Sequence, residues 1–151
     1  MPRTLHQSPG QHVPLTDAAA ALHIVALAAS VPPQPETVVL LLDDAHVGRT
    51  CVVVDGTTQP DDVIGVASLV AEVVAHSSEV HAVVLATLRP ARGRRRRPPA
   101  GAGDADVDRW LELLDLFDEV GVDLLDWFVV DGRRADSLRE ITGMPSLWRG
   151  P

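Results

Sequence analysis

Apolar residues follow two kinds of pattern along the chain, and each pattern predicts a different type of element. Unbroken apolar runs rich in Val and Leu, typical of strands covered on both faces of a sheet, lie near 37–43, 49–55, 81–87 and 124–130. Apolar residues that recur every three or four positions, typical of helices, lie near 16–30, 60–77 and 104–120. The two patterns together predict a layered α/β domain with a mixed β-sheet flanked by helices.

Turn and capping residues indicate where these elements begin and end. Thr16 and Asp17 offer a cap for the first helix, and Asp104 offers one for the third. The polar turn at 43–48 predicts that the first two strands form an antiparallel hairpin. After the last strand, residues 137–141 predict a short edge segment.

The patterned part of the chain is expected to form one domain between two tails. The 151 residues, of which 46% are hydrophobic, suffice for a single core without disulfides or a structural metal. Residues 1–14 predict a flexible tail, residues 15–143 the domain and residues 144–151 a second tail. Residues 88–103, called the arginine loop below, are rich in Arg, Pro and Gly and predict a long loop.

Cysteine usage and apolar length bear on the compartment of the protein. The single cysteine, Cys51, cannot form an internal disulfide, and we expect it to be buried and inert. The longest apolar stretch, 18–29, is too short to span a bilayer and lacks the flanks of a signal peptide. We therefore expect a cytoplasmic protein without a membrane partner.

The net charge of −8 argues against nucleic acid as the default partner, but the positive charge is concentrated in one place. Six of the thirteen basic residues lie in the arginine loop, namely Arg89, Arg92, Arg94, Arg95, Arg96 and Arg97. Clustered guanidinium groups attract phosphates and acidic surfaces. The last five of these arginines are therefore candidates for anion or nucleic-acid contact, although such a loop is equally typical of a solvated, unstructured segment.

Four short stretches in a fixed order carry a resemblance to a known family. They are the run Glu-Thr-Val-Val-Leu-Leu-Leu-Asp at 36–43, Gly56-Thr57, Val-Val-Leu-Ala at 83–86, and Leu-Leu-Asp at 124–126 followed by Ser137-Leu138. Over about residues 36–142 the chain resembles the RadC-like branch of the JAB/MPN metallopeptidase superfamily. The resemblance implies a three-layer JAB/MPN-like fold, similar to that of cytidine deaminases.

In catalytic members of that family, a His-x-His-Pro motif and a Ser-x-x-Asp motif hold a zinc ion with an open position, and a glutamate acts as general base. Here Thr87 and Arg89 take the place of the two histidines, Asp106 matches the aspartate, and Glu36 matches the general base. The arginine loop is longer than its counterpart in the family, which leaves the register of Thr87 and Arg89 open. Trp127 stands where relatives have a histidine, and we expect it to pack in the core.

The loss of both histidines predicts that no metal binds. Two unit charges ~4 Å apart interact by about 4 kcal/mol at an effective dielectric near 20, roughly doubled for a divalent ion, so an arginine at the site repels zinc. We therefore expect no metal, no cofactor and no catalytic residue, and a protein partner of unknown identity for a non-catalytic domain. Two alternatives stay open: a metal-dependent hydrolase with an unrecognised site, and an accessory domain that binds nucleic acid through the arginine loop.

A specific consequence concerns Arg89 and Asp106. If the fold brings these positions together as in the family, the guanidinium takes the place of the metal and forms a bidentate pair with the carboxylate. The alternative is that the longer loop carries Arg89 into solvent, while Asp106 serves only the N-terminus of the third helix.

Overall fold

The structure, a computed structural model, describes residues 13–57, 59–90, 101–132 and 134–150 together with a strand at 3–6. The strands in this part of the chain are β1 (Arg3–His6), β2 (Glu36–Leu42), β3 (Gly48–Asp55), β4 (Ala82–Leu88), β5 (Asp123–Asp131) and β6 (Arg134–Ser137). The helices are α1 (Ala18–Ala28), α2 (Pro60–Ala75), α3 (Asp104–Asp118) and α4 (Leu138–Ile141). The four strands and three helices predicted from the sequence begin and end within two residues of their expected limits, which confirms these predictions.

The strands form one mixed sheet in the order β1-β3-β2-β4-β5-β6. β2 and β3 form the predicted antiparallel hairpin, and β2 also pairs antiparallel with β4. β4 and β5 run parallel, with α3 in the connection between them. The prediction of an α/β domain with a mixed, helix-flanked sheet is therefore confirmed.

The two faces of the sheet are covered unequally. On the face called here the two-helix face, Val39, Leu85 and Trp127 pack against the buried residues of α2 and α3. On the opposite, one-helix face, Val38 and Phe128 pack against α1. Successive residues of a strand point to opposite faces, so the odd and even positions of β2 and β4 belong to different cores.

Two segments that were expected to be tails lie against the domain instead. Residues 3–6 pair with β3 as an edge strand; strand pairing uses backbone groups that every residue carries, so no apolar pattern signals it. At the other end, Gly150 N donates to Thr16 O (3.1 Å) and Arg149 Nη1 donates to Asp44 O (2.5 Å). Trp148 packs against the core of the one-helix face, which explains why this segment is ordered against the fold.

The segment after β5 also differs from the prediction. The edge strand is Arg134–Ser137, and residues 138–141 form the short helix α4. The register pairs Asp131 with Arg134, so the return strand starts directly after a tight turn. Ser137 then caps α4 by accepting a hydrogen bond from Glu140 N, which ends the strand earlier than expected.

Within the described ranges, no helix is both long and apolar enough to cross a membrane.

Candidate functional site

The positions that match the family's metal motifs lie at the carboxyl end of β4 and in the first turn of α3. Thr87 is the second-last residue of β4, and Arg89 follows the strand directly. Arg89 N donates to Val130 O (2.8 Å), which fixes the chain leaving β4 against the end of β5. Asp106 lies in the first turn of α3, which begins at this end of the sheet before the helix runs back towards the start of β5.

Arg89 and Asp106 form a bidentate ion pair. Nη1 lies 2.8 Å from Oδ2 and Nη2 lies 2.6 Å from Oδ1. The Asp106 side chain is 3% exposed and that of Arg89 is 19% exposed, so the pair is largely shielded from water. The predicted pair is therefore confirmed, and the alternative in which Arg89 points into solvent is wrong.

Asp106 also serves the start of α3, so both roles considered for it are present together. Its Oδ2 accepts a hydrogen bond from Gly103 N (2.8 Å), the residue before the first turn. Gly103 has no side chain with which to cap the helix, and the Asp106 carboxylate supplies the contact from inside the helix. One carboxylate thus joins Arg89, on one side of the arginine loop, to Gly103 on the other.

Thr87 is bound into a chain of buried hydroxyl groups. Thr57 Oγ1 donates to Thr37 Oγ1 (2.7 Å), and Thr37 and Thr87 share a hydrogen bond of 3.1 Å across the β2 and β4 pair. Trp127 Nε1 donates to Thr87 Oγ1 (2.9 Å). The Thr87 oxygen therefore already accepts a strong donor, and it is 0% exposed. It is a poor candidate for a metal ligand.

Trp127 packs in the core, as expected, with 0% of its surface exposed. The hydrogen bond from its indole to Thr87 was not foreseen. A buried indole N–H needs an acceptor, and the signal available in the sequence was that both positions differ from the family's histidines. Thr87 and Trp127, two positions that match histidines in the resembled family, thus make a direct contact through a hydroxyl and an indole.

Glu36 lies on the other face of the sheet. It alternates with Thr37 along β2, and its neighbour on the same side, Val38, belongs to the core under α1. Its carboxylate accepts hydrogen bonds from Ser30 N (2.7 Å) and Ser30 Oγ (2.8 Å), just after α1. The structure therefore brings Thr87, Arg89 and Asp106 together and separates Glu36 from them by the thickness of the sheet.

Sequence reasoning missed a second buried cluster, formed by Asp126 and Arg139. Arg139 donates from Nε to Leu125 O (2.7 Å) and from Nη2 to Leu124 O (2.8 Å). Asp126 accepts from Ser137 Oγ (2.5 Å) and Arg139 N (3.1 Å). Burial raises the pKa of Asp126, against the lowering effect of these hydrogen bonds. The cluster ties α4 to β5; its one signal in the sequence was an aspartate inside an apolar strand.

Cys51 behaves as expected of an inert core residue. It is 6% exposed and packs in the core of the one-helix face. Burial raises the pKa of its thiol to about 11, so it stays protonated at neutral pH.

The residues at the family site do not fit a zinc ion. Of the three positions, only Asp106 offers a carboxylate, and both of its oxygens are taken by Arg89 and Gly103. Elsewhere in the described part of the chain, no group of three or more His, Cys, Asp or Glu is placed to hold a metal. A permanent cation already fills the position that a metal would need.

The candidate anion-binding residues Arg92, Arg94, Arg95, Arg96 and Arg97 lie outside the described residues. The structure does describe where the chain returns from them. Ala102 N donates to Asp136 Oδ2 (3.0 Å), and a Cβ on Gly101 would lie 1.9 Å from that same oxygen. A larger residue at position 101 would therefore displace the Asp136 carboxylate from Ala102 N, and the end of the arginine loop is held on β6 as well as on α3.

No protein-family model matches the sequence, and no curated protein matches it. The resemblance to the JAB/MPN superfamily rests on the order and spacing of the four sequence stretches alone.

Proposed function

We propose that this chain is a non-catalytic RadC-like domain with the three-layer JAB/MPN fold, acting in the cytoplasm as a protein-interaction or accessory module. The observation that carries the proposal is the bidentate pair between Arg89 and Asp106. The guanidinium supplies the positive charge that the metal supplies in catalytic relatives, so the remaining aspartate is not left buried without a counter-charge.

The position of Glu36 supports the absence of catalysis independently of the metal. A general base must come within hydrogen-bond reach of the proton that it removes, directly or through one water. Glu36 instead faces α1 and is held by Ser30, on the opposite side of the sheet from Asp106. Even a metal restored beside Asp106 would have no base in reach from this position.

Nucleic-acid binding through the arginine loop is the second candidate function. It is favoured by the concentration of six of the thirteen basic residues in one segment of an otherwise acidic chain. If it holds, replacing Arg94 to Arg97 with Ser abolishes binding and its salt dependence. Undetectable DNA and RNA binding by the unmodified protein at low salt would remove this candidate.

The leading proposal is tested by titrating zinc into the protein in a calorimeter and by metal analysis of the purified protein. We expect no bound zinc in the unmodified protein and none in Arg89→Ala, since one carboxylate cannot hold the ion. The double variant Thr87→His with Arg89→His restores the ligand set and should bind one zinc ion per chain. Asp106→Ala added to that variant should abolish binding.

Two results would overturn the proposal. Stoichiometric zinc on the unmodified protein, lost in Asp106→Ala, would revive the hydrolase alternative. Failure of the double-histidine variant to bind zinc, with a circular dichroism spectrum equal to that of the unmodified protein, would break the link to the zinc-dependent family. For the double-histidine variant, the position of Glu36 predicts that zinc binds but that peptide substrates are not hydrolysed.

A further inference from the structure

The one-helix face of the sheet holds an open groove that the proposed function does not use. Its volume is about 710 Å³, within the usual range for sites that bind small molecules. One wall is the inner side of α1 and the segment after it, including Leu22 and Ala29; the other is formed by the ends of β4 and β5 and by β6. It lies at the carboxyl ends of the two parallel strands, where α/β sheets commonly place ligands.

The groove exists because one helix cannot cover this side of the sheet. Strands lie about 4.8 Å apart, so six strands span roughly 24 Å, whereas a helix with its side chains is about 10 Å wide. α1 also ends at Ala28, so the segment that follows lines the groove without extending the helix across the sheet. Leu88 and Val130 are left only partly buried at the base of the groove.

Among the described residues that line the groove, all are apolar except Ser30 and Arg134, and Arg134 is the one that carries a charge. Arg134 Nε donates to Asp136 Oδ1 (2.9 Å), which holds the guanidinium in place, and 63% of its side chain remains exposed. Among the described residues, Asp136 is its one acidic partner. The nearby carboxylate of Glu36 is fully buried and engaged by Ser30, so it does not face a ligand.

We propose that this groove binds a small molecule with an unbranched apolar tail and a single anionic head, of the fatty-acid class. The tail lies along α1 over Leu22 and Ala29, where burial of methylene groups drives binding. The head lies at Arg134, whose planar guanidinium suits a carboxylate. The site is distinct from the pair of Arg89 and Asp106, which lies on the other face of the sheet.

Decanoate and decanol, titrated into the full-length protein below their aggregation concentrations, are the probes. We expect one decanoate per chain. Ala26→Trp, at an exposed position that lines the groove, fills it and should weaken binding at least about tenfold. Ala19→Trp, also exposed but outside the groove, is the matched control and should leave binding unchanged.

The role of the head group is tested by Arg134→Gln. We expect decanoate affinity to fall about threefold, as for a partly exposed ion pair, with decanol affinity unchanged. Arg109→Gln, which removes an ion-paired arginine from α3 with 40% of its side chain exposed, is the control outside the groove. An unmodified protein that binds no decanoate, or equal weakening by the two tryptophan variants, would overturn the proposal.

Other occupants give different results in the same experiment. If a second copy of the chain covers the groove, the unmodified protein is a dimer by light scattering, decanoate does not bind, and Ala26→Trp yields monomers; this also overturns the proposal. None of these outcomes depends on zinc, so the groove and the proposed function fail or hold separately.

Discussion

At the carboxyl ends of the parallel strands β4 and β5, the space over one face of the sheet is closed and the space over the other is open. On the two-helix face, the space between sheet and helices is closed by the ion pair of Arg89 and Asp106 and by the hydroxyl chain through Thr87. On the one-helix face, the same end of the sheet is open and apolar. At this end of the sheet the space on the two-helix face is thus filled by the protein's own side chains, whereas the one-helix face leaves a groove open.

The unequal covering of the two faces should have its largest effect on the free energy of unfolding when a leucine is removed from a helix on each face. Leu113 on α3 is 0% exposed, and Leu113→Ala should lower the free energy of unfolding by about 2–5 kcal/mol, because the core cannot collapse around the cavity. Leu22 on α1 lines the open groove, and Leu22→Ala should cost under about 1 kcal/mol. Urea denaturation measures both, and equal losses would contradict the comparison.

The ion pair gives the next largest effect. Asp106→Ala leaves the shielded guanidinium of Arg89 without its partner and removes the contact to Gly103 N, so we expect a loss of about 2–4 kcal/mol. Asp104→Ala, an exposed acidic residue in the same turn, is the control and should cost under about 1 kcal/mol.

A double-mutant cycle separates the pair from the helix start. The coupling free energy between Arg89→Ala and Asp106→Ala should exceed about 1 kcal/mol if the two side chains are in contact. Additive effects of the two substitutions would mean that Asp106 acts on α3 alone.

The hydroxyl chain gives a smaller effect. Thr87→Val keeps the volume of the side chain but leaves the buried indole N–H of Trp127 without its acceptor, which should cost about 1–2 kcal/mol. Thr50→Val on β3 makes the same chemical change at a half-buried position and should be nearly neutral. A neutral Thr87→Val would show that the contact contributes nothing to closing this face.

The smallest effect concerns the turn between β2 and β3, at the opposite end of the sheet. Burial lowers the pKa of His46, and the charge of Arg149 adds to this, while Asp123 and Asp43 oppose it. Because the folded state favours the neutral ring, the contribution of His46 to stability is complete above pH about 6.5 and is lost as the pH falls below that value.

His46→Asn should therefore reduce the fall in stability between pH 7 and pH 5, as measured by urea denaturation at each pH. Asparagine tolerates the positive φ of 61° at this position, so the backbone should be unaffected. The exposed residue His23, changed to Asn, is the control. Identical pH profiles for unmodified protein and His46→Asn would contradict this role.

The sequence predicted the elements well because their signals are local. Apolar runs and capping residues such as Asp17 act within a few positions, and the hairpin turn lies between the strands that it joins. Edge strand β1 escaped prediction because its pairing with β3 is made by backbone groups at a distance of about fifty residues along the chain.

The site was predictable only in part, for a related reason. The pair of Arg89 and Asp106 could be predicted because a buried carboxylate without a metal needs another positive counter-charge, and Arg89 offers one. The face on which Glu36 lies depends on the register of β2, and a displacement by one residue reverses it. Resemblance in sequence could therefore suggest a role for Glu36 but could not place its side chain.

The junction at Asp106 also makes the arginine loop separable from the fold. The chain is fastened where it leaves β4 and again where it enters α3, so the length between these points can change at little cost to the domain. Each doubling of such a connection adds only about 0.6 kcal/mol of closure entropy. This position in the chain is therefore a natural place for insertions, whether acquired in evolution or introduced as a peptide tag, that leave the rest of the protein intact.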